Sequence, residues 1–443
     1  MFCINRKIKI AFGTVVLGLL FCAPLSAQQT ESLTDLWAKA EAYNKTLNVA
    51  RLGLQEAKQK TEVVKDARLP EVNAAGDYAR VSNLPQYEDG IFHTPTQYAG
   101  LIHQMYGLSG EASLNVYAGG TIRRNIASSQ IGEGIATQKV NLSRADVRYE
   151  VAVDYLDIYR NMQYKTLVEQ DIKEREAQLK EITNLYDRGV VLKSDVLRGE
   201  LNLSKQQELL TQIENSITIA NQSLNQMTGD SMEHITIPVL DEDSAGTALM
   251  PLTEDYFDSA LAHSYEYSIL QQETQLSKLA LRQTKSAILP KVQLFAEYQY
   301  GYPQTMFFPY ANALYGIGMA GVRASMSLSE LYTNKRKRDY AQTVIGRNAM
   351  QESDFQDKLK TQISALHIRF NEALNRIEVA KKNIQTASET YRITNNTYFA
   401  QLALLTDLLD AETQLLQAKM DYTTETVNAR IIYYQLQKAV GNL

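Results

Sequence analysis

The sequence predicts a mainly α chain with a small β part, built twice from one unit of long helices and a strand pair. Three observations predict it: the placement of the nine prolines, a repeat at an offset of 220 residues, and two stretches where hydrophobic periodicity changes from helical to two. Proline breaks helix interiors, so proline-free stretches mark where long helices are allowed. After Pro24 the prolines stand at Pro70, Pro85, Pro95, Pro238, Pro251, Pro290, Pro303 and Pro309, which leaves Thr96 to Ile237 and Tyr310 to the C-terminus free.

Both free stretches are rich in Ala, Leu, Gln, Glu, Lys and Arg, the better helix formers. In the second, Phe370, Leu374, Ile377, Ile384 and Tyr391 follow a heptad framework, and Leu408, Leu415 and Tyr422 lie seven apart. That spacing predicts coiled-coil seams rather than a broad globular face. Helices from about Thr121 to Tyr186 and from about Thr333 to Tyr398 would each extend on the order of 100 Å, at ~1.5 Å per residue. Rods of that length need neighbours with matching seams.

The repeat pairs the two stretches. Leu69-Pro70-Glu71-Val72 recurs as Leu289-Pro290-Lys291-Val292, with Tyr78 falling on Tyr298, whereas Tyr186, Asp195 and Gly229 recur as Tyr398, Asp407 and Gly441 at an offset of 212. The change of offset predicts a longer insert between the strands of the first copy. The expected division is 1–27 leader, 28–236 first repeat, 237–252 linker and 253–443 second repeat.

Within each repeat a strand pair is expected, at about 70–118 and 290–329. Val292, Leu294, Ala296, Tyr298 and Tyr300 alternate with Lys291, Gln293, Glu297 and Gln299, although Phe295 interrupts the polar set. A weaker alternation runs Val72, Ala74, Gly76, Tyr78, and partner strands are expected at Gly110 to Ala118 and Val322 to Leu328, with aromatic loops between. Strands of this length and pattern match those of a membrane barrel, which need ~9–11 residues. Solvent-exposed hairpins on a helical scaffold are the other reading. Four strands cannot close a barrel, for which about eight is the minimum, so a barrel requires several chains.

Residues 1–27 read as a secretory leader: Arg6, Lys7 and Lys9, an apolar run from Ile10 to Phe21, and a small-residue site ending at Ala27. Cys22 follows Phe21, too bulky for a lipid-attachment site, so lipidation is not expected. Cys3 and Cys22 are the only cysteines, and neither survives in the mature chain, which excludes disulfides and thiolate metal sites. The formal charge of −5 excludes nucleic acid as the expected partner. Beyond the leader no run of 18 apolar residues exists, so a membrane would be crossed only as a barrel.

Several signals carry no chemistry. Gly316-x-Gly318-x-x-Gly321 opens no helix and is read as glycines easing a tight strand. His93, His103, His234, His263 and His367 are scattered and are expected in loops and on the surface, with no metal site. No cofactor and no enzyme activity are expected.

The strand starts at Leu-Pro, the junction Val116-Tyr117-Ala118-Gly119-Gly120 and two helix-turn-helix tips, at 186–197 and 398–411, resemble the TolC-like outer-membrane efflux protein family across essentially the whole mature chain. The resemblance implies a homotrimer of the Gram-negative outer membrane. Each chain would give four strands to a twelve-stranded barrel and its helices to a long periplasmic tunnel. It further implies a tunnel closed at the tips, where Asp407 and Asp410 match constricting acids and Asp195 and Tyr398 match a carboxylate-to-phenol link. Read from the residues alone, Asp195 and Asp407 could equally be helix N-terminal caps. Ala403 stands where the family has a basic lock residue and Gln401 where it has a turn glycine, so a gate packed more through Leu402, Leu404 and Leu405 is expected.

The tips, around Gly189, Val190, Gln401 and Leu402, are the expected docking surface for a periplasmic adaptor that joins an inner-membrane pump. Tyr332, Lys335 and Arg336, with Arg123 and Arg124 in the first copy, are read either as an anchor to outer-membrane lipid headgroups or as solvated helix starts. The expected function is efflux of small toxic compounds, with protein secretion or metal export as alternative cargoes. A poreless periplasmic coiled-coil scaffold is the rival from another class.

Overall fold

The computed structural model describes residues 30–97, 102–239, 254–306 and 308–443. The expected leader with Cys22, the linker from 240 to 252, and the loop aromatics Tyr98 and Phe307 lie outside the described residues.

The chain runs β1 (Thr30–Glu31), α1 (Leu33–Tyr43), α2 (Lys45–Lys65), a 3-10 turn (Asp66–Arg68), β2 (Glu71–Arg80), β3 (Pro85–Gln86), β4 (Thr96–Gln97), β5 (Gln104–Tyr117), α3 (Thr121–Asp187) and α4 (Lys193–Thr228). After β6 (Ile237–Pro238) the pattern repeats as α5 (Glu254–His263), α6 (Tyr265–Ser286), β7 (Lys291–Tyr302), β8 (Tyr315–Ser325), α7 (Glu330–Phe399) and α8 (Leu405–Ala439). The molecule is mainly helical with a small sheet. At ~1.5 Å per residue, α3 with 67 residues and α7 with 70 each extend on the order of 100 Å.

Two continuous rods and two broken ones form the helical wall. α2 and α4 flank α3 in succession, while α6 and α8 lie between α3 and α7 in the same way. Seam residues are apolar: Phe370 and Ile377 pack with Ala429, and Val168, Ile172, Ile213, Ile217 and Leu416 join α3, α4 and α8.

The breaks in the flanking helices have local causes. Asn44 Oδ1 accepts from Leu47 N at 3.1 Å and starts α2, and Ser264 Oγ accepts from Tyr267 N at 3.3 Å and starts α6, each capping a first-turn amide. α4 ends at Gly229, whose φ of 82° lies in the left-handed region, and α8 is followed by Gly441 at 76°. A Cβ at Gly229 would collide with the ring of Tyr43, and one at Gly441 with the backbone of His263. Gly229→Ala is expected to lower stability by about 2 kcal/mol or more, from the left-handed backbone penalty alone at ~1–2 kcal/mol plus the clash. The midpoint of chemical denaturation would register it, and an unchanged midpoint would refute the account.

At the level of these breaks the N-terminal segment is tied in. β1 pairs parallel with β6, and the fully buried Tyr155 donates its hydroxyl to Glu31 O at 3.1 Å while accepting from Val239 N at 2.9 Å. Trp37 donates Nε1 to Arg148 O at 2.8 Å beside a core of Leu36, Leu47, Val151, Ile158 and Leu224.

The sheet has the order β2-β5-β7-β8, antiparallel throughout, so the second strand of the first repeat pairs with the first strand of the second. β5 begins at Gln104, six residues before the expected Gly110. The segment Met105-Tyr106-Gly107-Leu108 is extended because it pairs with Tyr78 and Ala79 of β2 on one side and with Tyr300 to Tyr302 of β7 on the other. The longer insert of the first copy holds the short β3–β4 pair.

Candidate functional site

The register sorts the sheet into two chemically different faces. One face carries Val72, Ala74, Gly76 and Tyr78 from β2, then Tyr106, Leu108, Gly110, Ala112 and Leu114 from β5. Opposite these, β7 and β8 place Leu294, Ala296, Tyr298 and Tyr300, then Val322, Ala320, Gly318 and Gly316. The other face carries Asn73, Asp77, Ser109, Glu111, Gln293, Glu297 and Gln299. Strands with one apolar and one polar face, long enough to span ~25 Å when tilted, have the composition of a barrel wall.

Details of the sheet explain residues that broke the sequence pattern. Phe295 sits on the polar face under the Arg323 guanidinium, 4.6 Å from its ring centroid, and Arg323 reaches Glu111 at 3.9 Å. Gly316 and Gly318 leave room for the rings of Tyr300 and Tyr298, which a Cβ would meet at 2.9 and 2.8 Å. A register shift between Asn115 and Tyr117 turns Tyr117 onto the apolar face at the helix-side end. At the far end Tyr106 and Tyr302 stack at 4.8 Å.

At the opposite pole the two tips share one fold of turn and pack on each other. Gly189 at φ 73° and Gln401 at φ 62° occupy the same left-handed position, and Val190 N and Leu402 N close the turns on Leu185 O at 2.9 Å and Thr397 O at 2.8 Å. Gln401 is the one described non-glycine residue with positive φ. Ile182, Val196, Tyr398, Leu405 and Leu408 form a single cluster joining both tips, with Ala403 packed against it. Leu405 is therefore buried as expected, but Leu402 and Leu404 are 81 % and 69 % exposed, because they lie in the turn and point off the end of the hairpin.

Asp407 is exposed in the first turn of α8, its carboxylate accepting from Leu404 N at 3.4 Å, and Asp410 is exposed and accepts from Gln414 at 2.7 Å. Asp195 is half-buried in the first turn of α4. Tyr398 is buried, and its hydroxyl has no hydrogen-bond partner; burial first, and then the charge of Asp195, raises its pKa above the usual tyrosine value. The tips thus bring Tyr398 and Asp195 within electrostatic reach without a bond between them.

The comparisons with known proteins fit this geometry. Residues 36–230 match the family model described as outer membrane efflux protein. CusC, whose crystal structures concern folding and transmembrane channel formation, superposes with a TM-score of 0.79 at 12% identity, over 93% of this chain and 92% of that one. The outer membrane protein VceC of Vibrio cholerae gives 0.72 at 17% identity, over 92% and 96%, and the CmeC outer membrane channel of Campylobacter jejuni 0.75 at 12%, over 99% and 94%. A search of curated proteins by sequence gives no match.

Residues 36–230, within the first repeat, thus carry the pattern of the outer membrane efflux protein family, and the solved neighbours share the fold. The solved neighbours extend the likeness of fold over both repeats, and both family and neighbours are channels rather than enzymes.

Other residues of the chain were expected in one role and stand in another, or were not singled out by sequence at all. Arg123, Tyr332, Lys335 and Arg336 are exposed beside the sheet, whereas Arg124 is tied inward: Nε donates to Gln283 at 2.8 Å and Nη2 to Gly119 O at 2.6 Å and to Ser286. His234 is not a simple surface residue. With Glu31 and Asp230 it forms a trio whose ligand atoms lie within 4.8 Å, of the kind that can hold a metal ion. The Lys39 ammonium already lies there, 2.8 Å from Glu31 and 3.2 Å from Asp230, so the trio reads as an ion-pair clasp between β1, α1 and the end of α4. His367 lies within α7 rather than in a loop.

A buried polar network above the tips had no sequence signal. Arg175, 3 % exposed, donates to Asp171 and to Asn202 and lies 3.1 Å from Glu412, which accepts from Gln178 at 2.6 Å. It links α3, α4 and α8. Burial raises the Glu412 carboxyl above the usual glutamate value, against the lowering by Arg175 and Gln178.

Proposed function

We propose that this chain is an outer membrane efflux protein, one of three identical chains of an outer-membrane duct whose four-stranded sheets close a twelve-stranded barrel above a periplasmic tunnel of helices. The observation that carries the reading is the register: it gathers the tyrosines and most of the aliphatic residues of the four strands on one face, the acids and amides on the other, and leaves an unpaired edge on β2 and on β8. A sheet with free edges and an apolar face is unstable alone and is completed by edge pairing with copies of itself. The duct performs no chemistry. It carries small toxic compounds from a periplasmic adaptor and an inner-membrane pump, which dock at the tips around Gly189, Val190, Gln401 and Leu402.

The gate is assigned to Asp407 and Asp410 from each of three copies, with Tyr398 and Asp195 supporting the tip from behind. What favours it is their exposure at the free end of the rods, where a ring of carboxylates selects cations. Reconstituted in a planar bilayer, the protein is expected to give discrete, cation-preferring conductance steps, and Asp407→Ala with Asp410→Ala to lose that preference several-fold. A protein that gives no discrete steps, even with both acids removed, is not this duct. Steps whose ion preference is indifferent to both acids would place the constriction elsewhere.

A further inference from the structure

Where the sheet of the first repeat turns into helix, a cleft of about 540 Å³ opens, lined by Arg68, Asn115, Tyr117, Gly120, Arg123 and Arg124 among others. Among the described residues neither Arg68 nor Arg123 has an acidic partner, and both are exposed. Arg124 is different in kind. Its Nε and Nη2 are committed to Gln283, Gly119 O and Ser286, which fixes the plane of the guanidinium. A Cβ at Gly120 would meet Nη1 at 2.8 Å, so that glycine, at φ 77°, leaves the space into which Nη1 projects, and no acceptor meets Nη1. Three guanidinium groups, one of them held rigidly, thus face one concavity.

The cleft sits at the helix-side end of the apolar face. Tyr117, turned there by the register shift, forms its upper wall together with Val116. Asp66 and Glu71 lie near in sequence, and Lys65 is already paired with Glu62, so arginine charge dominates. The second repeat lacks the feature: Ser329 in helical conformation stands before α7, and Glu330 there neutralises Lys337 at 2.6 Å.

Resting on the duct reading, we propose that this cleft binds the phosphodiester headgroup of an anionic glycerophospholipid of the leaflet nearest the helices, one per chain. Planar guanidinium forks match two phosphate oxygens at once, and the acyl chains would rise along Tyr117 and Val72 on the apolar face. A zwitterionic lipid would bring its cationic group against three guanidinium charges and is disfavoured.

The test is native mass spectrometry of the full-length protein purified in detergent, with phosphatidylglycerol, phosphatidylcholine or inorganic phosphate added. The wild type is expected to retain phosphatidylglycerol in preference to phosphatidylcholine, and millimolar phosphate to leave it in place. Arg68→Ala with Arg123→Ala should weaken retention roughly 25-fold, since each basic residue at an anionic surface contributes about 1 kcal/mol, or about fivefold. Lys358→Ala with Lys381→Ala, exposed on α7 and outside the cleft, should leave retention unchanged.

Equal retention by the Arg68/Arg123 double variant, or equal binding of both lipids, would overturn the proposal. So would displacement by phosphate, which would mark a free-anion site. Should the alanine variant fail to fold, Arg68→Lys with Arg123→Lys keeps the charge and removes the fork; it is expected to retain less lipid than wild type, and unchanged retention would refute fork recognition. A variant that falls to monomers, beside a wild type that binds no lipid, would mean that the arginines pair with a neighbouring chain, which also overturns it. A conducting protein without lipid preference sinks this site alone, whereas a lipid-selective protein that never conducts sinks the duct.

Discussion

Ala296→Arg is expected to empty the membrane fraction of folded protein, whereas Gln299→Arg, three residues along the same strand, leaves it near the wild-type level. Ala296 lies mid-sheet between Ala112 and Ala320 on the apolar face, and Gln299 lies on the polar face beside Ser109 and Ile317. An arginine facing lipid at the bilayer midplane costs about 2–4 kcal/mol per chain, and three chains would bear it together. On the water-filled side the same charge costs little. Membrane fractionation followed by gel analysis of unheated samples reads both variants. Equal behaviour of the two would mean that neither face meets lipid, as solvent-exposed hairpins on a scaffold would require.

The second large effect lies in the helices. Arg175→Met would leave Asp171 and Glu412 facing each other in a buried site without their shared cation, and removing one member of such a set costs about 3–5 kcal/mol. Urea denaturation of the purified protein is the measurement, and a loss below about 1 kcal/mol would show that the network relaxes freely. Glu412→Gln behaves differently because the Glu412 carboxyl is raised in the folded protein. A raised carboxyl contributes stability that is complete below its unfolded value, near 4.5, and is lost as pH rises through the folded value. The glutamine variant does not titrate, so its stability relative to wild type is expected to rise with pH from 4.5 towards neutrality. A difference between the two that stays flat with pH would contradict the assigned direction.

What the sequence disclosed was what is local or repeated. Heptads at Phe370 and Ile377, prolines at strand starts and the alternation from Val292 to Tyr300 each arise from a few neighbouring residues, and the long helices and strand positions follow from them. The start of β5 at Gln104 was hidden because Gly107 and Gly110 weaken the strand signal, and pairing on both sides supplies what propensity does not. Phe295 looked like an error in the polar face until Arg323, on the next strand, was found above it.

The site residues divide in the same way. Turn residues such as Gly189 and Gln401 could be located because a tip is a local motif. Arg175 with Glu412, and Lys39 with Glu31, Asp230 and His234, could not, because their partners come from distant helices. Nor does the pattern Arg123-Arg124 reveal that adjacent arginines face opposite duties, one free and one bolted to Gln283.

The staggered construction of the helical wall has a mechanical consequence. α2 and α6 start at one level, where α4 and α8 also end, so a wall made only of these helices would fold there like a hinge. α3 and α7 run unbroken past that level and splint it. If the tips around Gln401 and Gly189 open as proposed, a local bend of the wall is resisted at this level, and the movement would be spread along rods on the order of 100 Å long. A lever of that length would convert a small change in each turn into a wide displacement at the free end.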